Sequence, residues 1–118
     1  METIADLRSA RVEGRCLLIQ GVIDANLVES FQEQVEAIYE NAAEAEFVVE
    51  LNTPGGDMDC MNTVYTELAT LAATDAVWLV GRGIVASAGI YLLGAVPRQK
   101  RVALPFTKFF HHLFDSLI

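Results

Sequence analysis

The chain has 118 residues, of which 53% are hydrophobic, which is enough apolar material for the core of one domain and too little length for two ordinary ones. Its formal net charge of −8 argues against nucleic acid as a partner, because phosphate recognition requires a basic surface. No low-complexity segment, repeat or linker interrupts the sequence, so residues 1–118 read as a single domain.

In chain order, Met1-Glu2-Thr3-Ile4-Ala5-Asp6 carries acids where a secretory leader would carry basic residues, and a cytoplasmic location is the expectation. Cys16 to Ile19 is a short apolar run closed by Gly21, consistent with a buried strand. Cys16 and Cys60 lie too far apart for a metal or redox pair and read as buried thiols in a reducing compartment. Asp24 suits a helix N-cap. From there Leu27, Val28, Phe31, Val35, Ile38 and Tyr39 recur at helical spacing, with Glu29, Glu33, Glu36 and Glu40 opposite. The acids between Glu29 and Glu50 read as a solvated surface. Phe47 to Leu51 is a second strand, and Pro54-Gly55-Gly56-Asp57 turns it into a helix through Met61, Tyr65, Leu68 and Leu71.

Ala76 to Val80 is a third strand, Gly81-Arg82-Gly83 a turn, Ser87 to Val96 a short third helix stopped by Pro97, and Arg101 to Leu104 a further extended piece. Ala76 to Val96 contains one charge, Arg82, and approaches the length of a membrane span, but the central glycines favour two buried elements and no membrane. The strands begin about 30 residues apart, the length of a βαβ unit. An α/β fold with a mostly parallel sheet follows, and both glycine-bearing turns then fall at the carboxyl ends of their strands, where such folds bind ligands.

Ile84-Val85-Ala86-Ser87-Ala88-Gly89-Ile90 places one hydroxyl between a strand and a helix, at a helix N-terminus whose dipole favours negative charge. Asn52-Thr53-Pro54-Gly55-Gly56 offers backbone N–H groups without Cβ interference. If the two turns share one sheet edge, the amides after Pro54 and that of Ala88 can converge beside Ser87 as an oxyanion hole. A serine hydroxyl also needs an imidazole to take its proton, and His111-His112 supplies two. On an extended segment these point to opposite faces, so only one can reach Ser87, and periodicity does not choose between them. No residues have zinc spacing, and no phosphate loop or dinucleotide fingerprint is present.

Four segments in order then resemble the Clp protease proteolytic subunit family, serine peptidases of the crotonase-like β/α spiral fold. Leu17-Leu18-Ile19-Gln20-Gly21-Val22-Ile23-Asp24 is similar to the family's opening strand and turn, and Leu51-Asn52-Thr53-Pro54-Gly55-Gly56 to its Asn-Ser-Pro-Gly-Gly segment. Gly83-Ile84-Val85-Ala86-Ser87-Ala88-Gly89 resembles the nucleophile motif Gly-Met-Ala-Ala-Ser-Met-Gly. Ala103-Leu104-Pro105, with a histidine seven residues past the proline, resembles the histidine segment. The resemblance implies Ser87 as nucleophile, His112 rather than His111 as general base, and Gly55, Gly56 and Ala88 as the oxyanion hole. It further implies no cofactor or metal, an unfolded polypeptide as substrate, a homo-oligomeric ring and an ATP-dependent unfoldase as partner.

The family continues past the histidine through a handle helix to an aspartate that orients the imidazole. The resemblance therefore implies a domain without that C-terminal portion, leaving strand edges and apolar surface uncovered. Asp115, three residues past His112, would face the other way on a continuing strand and is not assigned to the role. Two alternatives follow. One is a catalytically impaired assembly or scaffold subunit. The other is a Ser–Lys peptidase similar to the signal-peptide-peptidase branch of the same fold, in which a lysine acts as base; Lys108 lies four residues before His112, and nothing in the sequence places its amine near Ser87.

Overall fold

A computed structural model describes residues 4–41, 46–74 and 76–111 of the chain. In order they form α1 (Ile4–Val12), β1 (Cys16–Gln20), α2 (Ala25–Asn41), β2 (Phe47–Thr53), α3 (Met58–Thr74), β3 (Val77–Ala86) and α4 (Ala88–Tyr91). Two 3₁₀ turns, Leu92–Ala95 and Arg98–Lys100, lead to β4 (Arg101–Ala103) and β5 (Lys108–Phe110). The strand order is β1-β2-β3-β4, with β5 also on β3, and every pairing is parallel.

Both long helices start where an aspartate satisfies an N–H group that has no partner inside the helix. The Leu27 N–H donates to Asp24 Oδ1 at 2.9 Å, and the Cys60 N–H donates to Asp57 Oδ2 at 2.9 Å. Leu27, Phe31, Val35 and Ile38 of α2 and Met61, Val64, Leu68 and Leu71 of α3 are buried together against Val49, Leu51 and Leu79 on one face of the sheet. Because strand side chains alternate, Val48 and Val80 face the opposite way and meet Leu7 and Ala10 of α1.

Several features of the fold depart from what the sequence suggested. Helix α1 was not anticipated, because its buried stripe amounts to Leu7 and Ala10 amid polar residues. Glu50 is not on a solvated surface. It shares the α1 side of β2 with Val48 and is only 2% exposed. There the Arg11 guanidinium donates from Nε to Oε2 at 2.8 Å and from Nη2 to Oε1, the Cys16 thiol donates to Oε2 at 3.0 Å, and Arg82 Nε stands 3.4 Å from Oε1. Burial pushes the Glu50 carboxyl up, but Arg11, Cys16 and Arg82 together outweigh it and hold it below its ordinary value. Cys16 and Cys60 are both half-buried rather than buried, and the Cys16 thiol is pushed up to about 12 by its partial burial and by the neighbouring carboxylate.

Another change is at Gly81-Arg82-Gly83, which lies inside β3 rather than in a turn. Between the pairs Leu51↔Gly81 and Thr53↔Val85 the register slips, so two steps along β2 match four along β3. Gly83 takes φ +77°, and Asn52 Oδ1 fills the bulge by accepting the Ile84 N–H at 3.2 Å. The bulge divides β3 in two: β4 pairs with Leu79–Gly81 and β5 with Ile84–Ala86. Finally, the helix expected from Ser87 to Val96 is one four-residue α-turn followed by 3₁₀ structure. No described helix is long and apolar enough to cross a membrane.

Candidate active site

Parallel pairing of β2 with β3 puts the bends that follow them at the same edge of the sheet. Ser87 occupies the step from β3 to α4 at φ 55°, ψ −123°, a conformation that non-glycine residues avoid unless surrounding structure imposes it. Two backbone bonds impose it here. The Ser87 N–H donates to the Phe110 carbonyl at 2.9 Å, and the Ile90 N–H donates to the Ser87 carbonyl at 3.0 Å. The Ser87 side chain, although at the N-terminus of α4, makes no helix-capping bond. With four residues α4 has little dipole to offer, so the benefit expected from a helix N-terminus is small.

The Pro54-Gly55-Gly56 bend lies directly against this step. A Cβ at Gly55, which has φ +105°, would stand 2.7 Å from Ser87 Cβ, 2.9 Å from the Ala86 carbonyl oxygen and 3.2 Å from the Ala88 nitrogen. Gly56 is tied to Ile23 by a parallel bridge, in which the Ile23 N–H donates to Gly55 O and the Asp57 N–H donates to Ile23 O, each at 2.9 Å. A Cβ at Gly56 would collide with the Ile23 backbone. Three segments therefore meet beside one hydroxyl: the loop after β1, the bend after β2 and the step after β3.

The three oxyanion candidates differ in their surroundings. The Gly55 N–H donates to the Thr53 hydroxyl at 3.1 Å, so it is already engaged, while Ala88 is buried at the first position of α4. His111 is exposed and directly follows Phe110, whose carbonyl holds the Ser87 N–H. His112 and Asp115 lie outside the described residues. Lys108 is paired with Ile84, three residues before Ser87 along β3. Thr53, directly before Pro54, is a part of the site that the sequence did not single out, although a short polar side chain at such a turn can hydrogen-bond the backbone two residues on, as its hydroxyl does with the Gly55 N–H.

The parallel crossover sheet, the strained serine at a strand-to-helix step and the glycine bend packed against it define the chain as an α/β protein whose loops after three successive strands meet at one sheet edge. Residues 1–113 match the family model described as Clp protease, and the chain belongs to the Clp protease family. It is 30% identical over 100 residues to the ATP-dependent Clp protease proteolytic subunit 3 of Rhizobium etli, covering 85% of this chain and 50% of that one. It is 27% identical over 109 residues to proteolytic subunit 2 of Gluconobacter oxydans, covering 92% of this chain and 48% of that protein. ClpP1 from Listeria monocytogenes superposes with a TM-score of 0.71 at 27% identity, over 87% of this chain and 59% of that chain. The chain spans about half the length of the curated relatives it matches.

Proposed function

We propose that the chain is a serine-type endopeptidase subunit of the Clp kind, with Ser87 as nucleophile, His112 as general base, and Gly56 and Ala88 amides as principal oxyanion donors. The observation that carries this reading is Ser87 held at φ 55° with the glycine bend in contact behind it. In the reaction the Ser87 oxygen attacks a peptide carbonyl carbon while its proton passes to the imidazole. The carbonyl oxygen becomes an oxyanion facing the amides, the C–N bond breaks, and the imidazolium returns the proton to the leaving amine. Water, deprotonated by the same imidazole, then releases the acyl group. Each well-aimed donor contributes about 3–4 kcal/mol to the transition state. Gly55 contributes by its missing Cβ, since its own N–H is turned to Thr53.

The family relationship supports a wider proposal: the substrate is an extended, unfolded polypeptide, the working state is a homo-oligomeric ring, and an ATP-dependent unfoldase delivers the substrate. Hydrolysis of a short fluorogenic peptide tests the chemistry, with Ser87→Ala, His111→Ala and His112→Ala compared in one assembly state. The proposal expects Ser87→Ala and His112→Ala to fall to background and His111→Ala to retain activity. Equal turnover by wild type and Ser87→Ala would end it. A second reading, a non-catalytic assembly subunit, is favoured by the uncovered apolar side chains Phe106, Phe109 and Phe110. Native mass spectrometry of a mixture with a full-length relative decides it, and no mixed oligomer would remove it.

A further inference from the structure

Thr53 is fully buried, yet its side chain reaches all three segments that meet at the candidate site. Its hydroxyl donates to the Gly21 carbonyl at 2.6 Å, beyond the end of β1, and accepts the Gly55 N–H at 3.1 Å, inside the bend. Its methyl group lies against the step after β3, where a Cβ at Gly89 would come within 2.5 Å of Thr53 Cγ2. The hydroxyl has one proton to give and has given it, and the direction of the second bond is fixed by the amide. With the Gly55 N–H held by Thr53 and the Gly55 carbonyl held by the Ile23 N–H at 2.9 Å, the trans peptide that follows directs the Gly56 N–H away from the Ile23 N–H and leaves it free of both of those partners.

We infer that Thr53 is a positioning residue, whose hydroxyl selects the orientation of the Gly55–Gly56 peptides and so forms one half of the oxyanion hole. The inference rests on the serine-peptidase reading for its consequence and on the Thr53 hydrogen bonds for its cause. Its two halves separate by substitution. Thr53→Val keeps the shape and the methyl contact with Gly89 but removes the hydroxyl, whereas Thr53→Ser keeps the hydroxyl and opens a gap at Gly89. A residue that only packs the core would tolerate valine better than serine. A residue that orients amides must show the reverse.

The test follows the rate at which a serine-directed phosphonate modifies Ser87, normalised to the folded fraction by circular dichroism, together with ¹H–¹⁵N spectra of the uniformly labelled chain. Thr53→Ser is expected to react within about threefold of wild type. Thr53→Val should fall about tenfold or more, in the maximal modification rate rather than in the half-saturating concentration. In the spectra Thr53→Val should expose the Gly55 amide to hydrogen exchange and move the Gly56 resonance, and Thr53→Ser should do neither. Should valine prevent folding, Thr53→Ala takes its place with the same expectations. Wild-type rates in the valine variant, or unchanged Gly55 exchange, would overturn the inference. A wild-type chain that never reacts would instead refute the peptidase reading, and the exchange data would still decide the role of Thr53.

Discussion

At Ser87 and Gly55 two residues occupy conformations that are unfavourable for most side chains, and each requires the other to remain as it is. Gly55→Ala places a Cβ both in a left-handed backbone conformation and 2.7 Å from Ser87 Cβ. We expect it to cost more than about 2 kcal/mol of stability and to abolish modification of Ser87. Gly14, at φ +72° with nothing within 4 Å of a built Cβ, is the control, because only the backbone term of about 1 kcal/mol applies there. Urea unfolding midpoints of the two alanine variants read the difference. At Cys16 the raised thiol predicts slow alkylation at pH 8, since little thiolate is present. Rapid modification of Cys16 at that pH in the folded chain would contradict the placement of its sulfur beside Glu50.

Helix α1 covers one face of the sheet through a small apolar contact and the Arg11–Glu50 ion pair. The Glu50 carboxyl is held below its unfolded value, so the unfolded chain binds a proton more readily. Stability from this group is fully present above the unfolded carboxylate pKa of about 4.3 and is lost as pH falls through the lower folded value. Glu50→Gln removes that dependence. Denaturation midpoints measured between neutral pH and pH 3 should fall less steeply in Glu50→Gln than in wild type, and parallel profiles would contradict the account. The βαβ spacing, the Asp24 cap and the apolar stripes of α2 and α3 were legible in the sequence because each expresses local periodicity or local hydrogen bonding. Glu50 and the bulge at Gly83 were not, because one depends on a helix packing from elsewhere in the chain and the other on Asn52 of a neighbouring strand. Ser87 and the glycine pair were legible as motifs, whereas the division of labour among their amides depends on a hydrogen bond no motif records.

Over the whole molecule, two edges of the sheet are treated differently. Along β1, Gln34 of α2 occupies the outward backbone groups of Leu18: the Leu18 N–H donates to Oε1 at 2.7 Å, and Nε2 donates to the Leu18 carbonyl at 3.0 Å. This amide blunts an edge that would otherwise pair with another chain. Along β5 all three residues are exposed, and Phe106 nearby is 96% exposed. Such apolar surface predicts self-association through the β5 side, visible as a rise in sedimentation coefficient with concentration and reduced by Phe106→Ser with Phe109→Ser. A wild-type chain that sediments as one species at every concentration would contradict it. Whether main-chain donors from the two bends surround the Ser87 hydroxyl is read from a crystal structure of the phosphonate-treated chain. The prediction is phosphorus bonded to Ser87 Oγ, with a phosphoryl oxygen about 2.7–3.1 Å from the Gly56 and Ala88 nitrogens. An adduct at another residue, or that oxygen turned away from both amides, would contradict it.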